Sequence, residues 1–358
     1  MQVMRTRKLS CGILSVVLAL TMVFSVLGGT VFAATPENVK HYRVVTSLGD
    51  SIATGFSLPD YKKKAGDRFS IAKVRIEGSY PAIVADTVKA ETFYPLATPG
   101  FRSNELRFVL CNDYDGDWIT HKWEPFLSYI ETNDYEGLKA QRSEFQSKVA
   151  QSDLVLLDIG FNDTWHPAVA VLQEVIRNGE PSYDFDKESE EGAKMIVEGY
   201  SYDDLRHDLE VVLKAPYNAR RLPEVLYKLL TLSDYLPNYE AIVKRIYELN
   251  PNATIVAVGT YNPFRDWPEE WAQPLKQAAQ TALYDRMNQQ KKDFAKKYGD
   301  QFIYVDISDI PPVIQHSWAD VTAAGGFSAW DPHPTVAGHQ YEAQQIISCL
   351  PEDCGCKA

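Results

Sequence analysis

The sequence predicts a doubly wound α/β fold built on a parallel sheet. Short apolar runs recur at residues 42–48, 93–96, 152–160, 253–261 and 302–308, each ended by glycine or a polar turn. Runs of that length with no polar face are the mark of strands buried on both sides. Between them lie stretches of helical period, and strands that alternate with helices wind into a parallel sheet covered on both faces, three layers in all. A composition 45% hydrophobic and 12% aromatic is that of a chain with a packed core rather than a disordered one.

The first run, YRVVTSLGDSIATGF at residues 42–56, climbs to Leu48 and breaks at Gly49, Asp50 and Ser51. A buried strand ending in such a turn lifts one hydroxyl above the carboxyl edge of the sheet, where α/β folds place their chemistry, so Ser51 is the candidate nucleophile. Asp50 reads as a turn residue that bonds local backbone N–H groups. Taken alone, the tripeptide equally fits a plain polar turn. Residues 57–78 are polar and charged without a sustained period and read as a surface excursion. SYPAIVADTVKA then predicts a helix, with Ser79 as cap, Pro81 in the first turn, and Ile83, Val84, Thr87 and Val88 on one face. FYPL, residues 93–96, is a short second strand running into Thr98, Pro99, Gly100, Phe101, Arg102 and Ser103.

A Trp- and Asp-rich loop from Asn112 to Trp123 precedes a helix over 134–150. SDLVLLDIG follows as the third strand and stops at Gly160, Phe161, Asn162 and Asp163. Residues 166–250 exceed an ordinary crossover and carry an acidic stretch, DFDKESEEG; they read as a helical insertion, possible as a lid. ATIVAVGTY is the fourth strand, LKQAAQTALYDRMNQQKKDFAKKYG an amphipathic helix closed by Gly299, and FIYVDIS the fifth strand. The last block, WDPHPTVAGHQYEAQQIISCL, is a loop followed by a helix that Thr335 caps.

Arg5, Arg7 and Lys8 stand before an apolar run from about Cys11 to Leu27, and Val31, Phe32 and Ala33 form a small-residue cleavage pattern. Residues 1–33 therefore read as an export signal, with a retained anchor as the alternative, and residues 34–358 as one secreted domain. Losing three basic residues and no acidic one takes the net charge from -12 to -15, which excludes nucleic acid as an expected partner. Cys111, Cys349, Cys354 and Cys356 remain. An exported chain permits up to two disulfides among them, and a stapled tail is the favoured reading over a zinc site, since Cys-Gly-Cys lacks the two-residue gap of a zinc knuckle.

Four loops, at Gly49 to Ser51, Gly100, Gly160 to Asp163 and Asp331 to Pro334, follow predicted strands or lie late in the chain, and a three-layer sheet brings them to one edge. Together they hold what acyl transfer requires: a hydroxyl, an imidazole, a carboxylate and donors for a developing oxyanion. Glycine at position 100 lets a backbone N–H come close to a ligand, and Asn162 offers a side-chain NH₂. His333 before Pro334 would otherwise be a plain loop histidine. His339, one turn into the last helix, reads as a surface residue or one behind the site. Asp331, His333 and His339 lack the i, i+4 pair of a zinc helix, and no metal is expected. No G-x-S-x-G elbow is present.

On these four blocks the chain resembles the SGNH, or GDSL, hydrolase family, over nearly all of residues 34–358 outside the insertion. The resemblance implies a flavodoxin-like five-stranded sheet, Ser51 as nucleophile, His333 as base, and an oxyanion hole made of the N–H groups of Ser51 and Gly100 with the amide of Asn162. It also implies a secreted esterase or lipase working through an acyl-enzyme, with no cofactor. One departure stands out. The family commonly places its acid three residues before the histidine, where this chain has Trp330; here Asp331 is two before. Either the Asp331 carboxylate or the Trp330 carbonyl is left to hold the Nδ1 side of His333. The substrate class stays open among small-molecule, lipid and acetylated-glycan esters, with a carbohydrate O-deacetylase or a binding protein that has lost turnover as alternatives. A monomer is expected. Phe56, Phe161, Trp165, Tyr261, Phe264 and Trp330 lie near the motifs and fit either an acyl pocket or the core.

Overall fold

The computed structural model describes residues 39–66, 71–114, 135–164, 223, 226, 227, 230, 234–324 and 330–352. Five strands, β1 (Val44–Gly49), β2 (Thr92–Pro95), β3 (Leu154–Asp158), β4 (Thr254–Val258) and β5 (Phe302–Val305), form one sheet in the order β2-β1-β3-β4-β5. Every neighbouring pair is parallel. All five strands expected from the apolar runs are therefore present. The order also makes a switch point, because the chain leaves β1 toward β2 on one side and returns to β3 on the other.

Burial follows the pleat. All five residues of β3 are buried; Val155 and Leu157 pack into one cluster, and Leu154 and Leu156 into another on the opposite face. The first cluster is roofed by α4 (Ser103–Leu110), α5 (Tyr135–Ala150), α6 (Tyr235–Leu249), α7 (Gln273–Ala279) and α8 (Asp285–Tyr298). The second is roofed by α1 (Ser51–Thr54), α3 (Tyr80–Thr87) and α10 (Val336–Cys349). Two further helices are α2 (Pro59–Ala65) and α9 (Trp318–Ala323). No helix among the described residues is long and apolar enough to cross a membrane.

Several local expectations are corrected. Residues 57–78 are not wholly a surface excursion: Pro59 opens α2 in its first turn and Gly66 closes it at φ 59°. Its Tyr61 and Ala65 join Leu58, Ile71 and Ile76 in a small satellite core, which the three consecutive lysines of this seven-residue helix hide from a periodicity reading. Ser79 precedes α3 without capping it; its hydroxyl donates instead to Ile76 O at 2.8 Å. Val84 and Val88 are buried as expected, while Ile83 and Thr87 are only half-buried. The helix expected over 275–299 is interrupted by a π-helical stretch, Gln280–Tyr284, between α7 and α8. Thr335 does cap α10, accepting from Gly338 N at 3.2 Å.

Residues 235–249, assigned to the insertion by sequence, form α6, a core helix with Tyr235, Tyr239, Ile242, Val243 and Ile246 fully buried against α4 and α5. Most of the rest of that insertion, the export signal, Trp165, Cys354 and Cys356 lie outside the described residues. Cys111 and Cys349 are free thiols, the first buried and the second exposed.

Gly49 ends β1 opposite Asp158, the last residue of β3. A Cβ there would stand 2.2 Å from the Asp158 carbonyl oxygen and 2.9 Å from the Ala53 side chain, so only glycine permits this approach. Gly49→Ala is expected to destabilise the fold by about 1–3 kcal/mol through overpacking. Urea unfolding reads this directly; an unchanged midpoint would mean that the two strand ends part at no cost.

Candidate active site

The site begins at the end of β1. Asp50 is the N-cap of α1, and its Oδ1 accepts from Ile52 N at 2.9 Å, the local bond that a turn aspartate makes. At the other end Gly55 closes the helix in the left-handed region at φ 74°, and Phe56 N donates to Ser51 O at 3.1 Å. Ser51 is thus held at the first position of a single capped turn. Its main-chain N–H is one of those that a helix start leaves without an intrahelical acceptor.

Ser51 Oγ lies 2.8 Å from His333 Nε2, and His333 Nδ1 lies 2.7 Å from Asp331 Oδ1. Asp331 Oδ1 also accepts from the main-chain N–H of His333 at 3.1 Å. Of the two acceptors left open by the sequence, it is the Asp331 carboxylate that faces Nδ1. Burial works to raise the Asp331 pKa, but the hydrogen bonds and charge of His333, helped by Lys62, hold it below the usual carboxylate value. An ionised carboxylate can only accept, so the proton sits on Nδ1, and Nε2 is left with a lone pair facing the serine hydroxyl.

The loop carrying His333 is tied down from several directions. Gln315 accepts from Asp331 N through Oε1 at 2.9 Å and donates its own N–H to Asp331 O at 3.1 Å. Ile314 N donates to His333 O at 3.0 Å, Tyr261 OH to Pro332 O at 2.8 Å, and Ser57 Oγ to Pro334 O at 3.1 Å. The Phe56 ring packs on the imidazole with centroids 4.9 Å apart. Of these partners the sequence marks only Phe56 and Tyr261, as aromatics near the motifs, because each contact joins residues that only the fold makes neighbours. Among the aromatics, Phe161 and Tyr261 pack together in the core, and Phe264 and Trp330 stack at 5.2 Å within a cluster of buried tryptophans. Of those described, Phe56 alone remains half-exposed beside the histidine.

The loops after β2 and β3 carry Gly100 and Asn162. Gly100 has φ 82°, a conformation side chains rarely adopt, and Asn162 Nδ2 donates to Phe101 O at 2.9 Å. An amide carries two N–H groups, so this bond leaves one. The next residue, Asp163, is fully buried and accepts from Ser103 N at 2.8 Å and from Ser103 Oγ. Sequence reading did not single out Asp163 or Ser103.

A model of the GDSL-like lipase/acylhydrolase family matches residues 47–341. The chain belongs to this family. Three solved structures are similar to this GDSL-like hydrolase. Phospholipase A1 from Streptomyces albidoflavus NA297 is 14% identical, with 87% of this chain and 100% of that chain covered and a TM-score of 0.44. The extracellular lipase from Streptomyces rimosus is 15% identical, with 86% and 99% covered and a TM-score of 0.42. A catalytic mutant of Axe2, an acetylxylan esterase from Geobacillus stearothermophilus, is 14% identical, with 87% and 95% covered and a TM-score of 0.39. Comparison with curated protein sequences finds no match.

Beneath the serine, this GDSL-like hydrolase buries a layer of titratable groups. Asp158 accepts from Tyr80 OH at 3.1 Å, and the buried Lys291 Nζ donates to Val258 O at 2.7 Å and Thr260 Oγ1 at 2.9 Å. On its helix Lys291 shares the buried face with Met287 and Phe294. Burial pushes Asp50 up, aided by the charge of Asp158, and pulls Lys291 down to about 8 against the attraction of Asp158 and Asp50. His339 is buried rather than on the surface, stacked on Tyr80 with Nδ1 3.7 Å from Glu342 Oε2, and burial lowers its pKa to about 3. Among the described residues, no three His, Cys, Asp or Glu side chains converge as a metal-ligand set.

Burial lifts Asp158 from the usual 3.8 to about 6, with Lys291 and the Tyr80 hydroxyl opposing it. Because the folded pKa is the higher one, the folded state binds the proton more tightly, and stability falls as pH rises through the interval between those two values. Asp158→Asn keeps an acceptor for Tyr80 and is expected to flatten that fall. Thermal unfolding measured from about pH 4 to pH 6 tests this; equal slopes in variant and wild type would show that Asp158 does not titrate there.

Proposed function

We propose that this protein is a secreted serine hydrolase that cleaves carboxylic esters through an acyl-enzyme. The observation that carries the reading is the unbroken chain Ser51 Oγ, His333 Nε2, His333 Nδ1 and Asp331 Oδ1, with contacts of 2.8 and 2.7 Å. In the first step Ser51 Oγ bonds to the ester carbonyl carbon while its proton passes to His333 Nε2. The carbonyl oxygen takes up the negative charge and accepts hydrogen bonds from the main-chain N–H groups of Ser51 and Gly100 and the remaining amide N–H of Asn162. Collapse of this intermediate breaks the ester C–O bond. His333 gives its proton to the leaving alkoxide and an acyl-Ser51 remains. Water then repeats the sequence, with His333 taking its proton, and frees the acid. Asp331 stays ionised throughout and holds the imidazolium that forms in each half.

Every reacting group comes from the chain itself, so no cofactor enters this mechanism. The N-terminal 33 residues supply the export signal, and the residues that follow form one hydrolase domain. The substrate is a small-molecule, lipid or acetylated-glycan ester. A screen of p-nitrophenyl esters by acyl length, run beside an acetylated polysaccharide, separates an esterase or lipase from a carbohydrate O-deacetylase.

Ser51→Ala removes one hydroxyl and is expected to abolish ester turnover beyond the residue left to the oxyanion donors, with an unchanged circular dichroism spectrum. Wild-type turnover in the folded variant would sink the mechanism, and an inactive wild type on every ester would favour a binding protein on the same scaffold. Asp331→Asn replaces an acceptor by a group that can donate to Nδ1 and so favours the wrong tautomer; kcat is expected to fall by about 10⁴-fold, the size of that effect in serine proteases. A loss under ten-fold would leave a Ser51-His333 dyad.

A further inference from the structure

The loop after β2 carries Gly100 and the loop after β3 carries Asn162, so two separate chain segments must be set against each other within a fraction of an ångström. Gly100, with φ 82° and no side chain, cannot fix its own position. What fixes it lies on either side. Upstream, Thr98 N donates to Gly49 O at 3.0 Å, which ties the loop to the end of β1. Downstream, Asn162 Nδ2 reaches Phe101 O at 2.9 Å.

The carboxylate of Asp163 then closes on Ser103, taking its N–H at 2.8 Å and its hydroxyl. Ser103 is the first residue of the eight-residue α4, where N–H groups lack intrahelical acceptors and a negative charge is favoured. On its far side, Ser103 Oγ accepts from Asn238 Nδ2 of α6 at 3.2 Å. Asn238 is itself fully buried; its Nδ2 also donates to Asn104 Oδ1, and its Oδ1 accepts from Arg107 Nη1 at 3.0 Å. Arg102 N donates to Glu105 Oε2 at 2.8 Å and locks the same helix start.

We propose that Asp163, acting on Ser103 with Asn238 behind it, is a positioning residue that sets the distance between the Gly100 N–H and the Asn162 amide. This rests on the serine-hydrolase reading, in which those two groups bind the oxyanion. A fully buried carboxylate is a costly way to fill space. Burial pushes Asp163 up to about 7 against the two Ser103 bonds, and an apolar side chain of similar volume would hold the core at lower cost. A carboxylate at this place has one property that an apolar residue lacks, which is the capacity to grip a main-chain N–H and a hydroxyl of one residue at once.

The test is a double-mutant cycle on a p-nitrophenyl ester that the wild type cleaves. Asp163→Asn loses half of the grip on Ser103 and is expected to lower kcat by about 10- to 100-fold with KM within about two-fold, since only the transition state develops the charge. Asn162→Ala already removes one of the two donors being aligned. In that background Asp163→Asn is expected to cost less than a third of its effect in the wild type. Ser103→Ala keeps the main-chain bond and serves if Asp163→Asn does not fold; it is expected to lower kcat a few-fold, again with KM unchanged, and again by less when Asn162 is absent.

Losses that multiply in full across the cycle, a change confined to KM, or unaltered kcat in a folded Asp163→Asn protein would each overturn the proposal. Ser51→Ala run alongside separates the two levels: if it retains turnover the hydrolase reading itself fails, whereas an inactive Ser51→Ala with a multiplicative cycle removes only the role of Asp163.

Discussion

The site depends on how closely β1 and β3 approach at Gly49 and Asp158. Parallel pairing holds the two strands side by side, and the switch in strand order between them leaves a crevice above their carboxyl ends. Gly49 lets the main chain come against the Asp158 carbonyl before turning into Asp50, which caps the short helix that begins with Ser51. A bulkier residue at that point would move the helix, and with it the serine hydroxyl and the main-chain N–H of Ser51 together. The loop after β2 is hung from the same place, through Thr98 N on Gly49 O.

Two kinds of material surround this point, and they do different work. On one side, the loop of Trp330 to Pro334 rests on a buried aromatic cluster of Phe264, Trp267, Trp318 and Trp330, with rings stacked, tilted or edge to face, which gives a stiff footing by close packing. Beneath and beside the serine the material is polar: Asp50, Asp158, Tyr80 and Lys291 in one group, Asp163, Ser103 and Asn238 in another. Buried polar groups specify geometry through directional bonds, but they carry desolvation costs that apolar packing does not. The raised carboxyl pKa values near the strand ends are the visible sign of that cost.

Much of the fold was legible in the sequence because buried parallel strands need unbroken apolar runs, and five such runs stand in order along the chain. The glycines, the serine, the asparagine and the Asp-Pro-His triplet were legible as well, since each follows a run or stands in a late loop and its residue type is one that a turn or a reacting group requires. Less legible were α2, with three lysines in seven residues, and the place of α6 in the core, because its residues close a long stretch read as one insertion.

Tertiary structure alone decided which acceptor faces His333, since Asp331 and the Trp330 carbonyl both lie within three residues of it and the choice rests on how the loop lies against Gln315 and Ile314. It likewise decided that Phe264 and Trp330 belong to the core, and that Asp163 meets Ser103 across sixty residues of chain. The physical reason is one of range. Apolar periodicity and turn chemistry act between residues a few positions apart and are written locally, whereas a hydrogen bond between loops exists only once the sheet has brought their ends together.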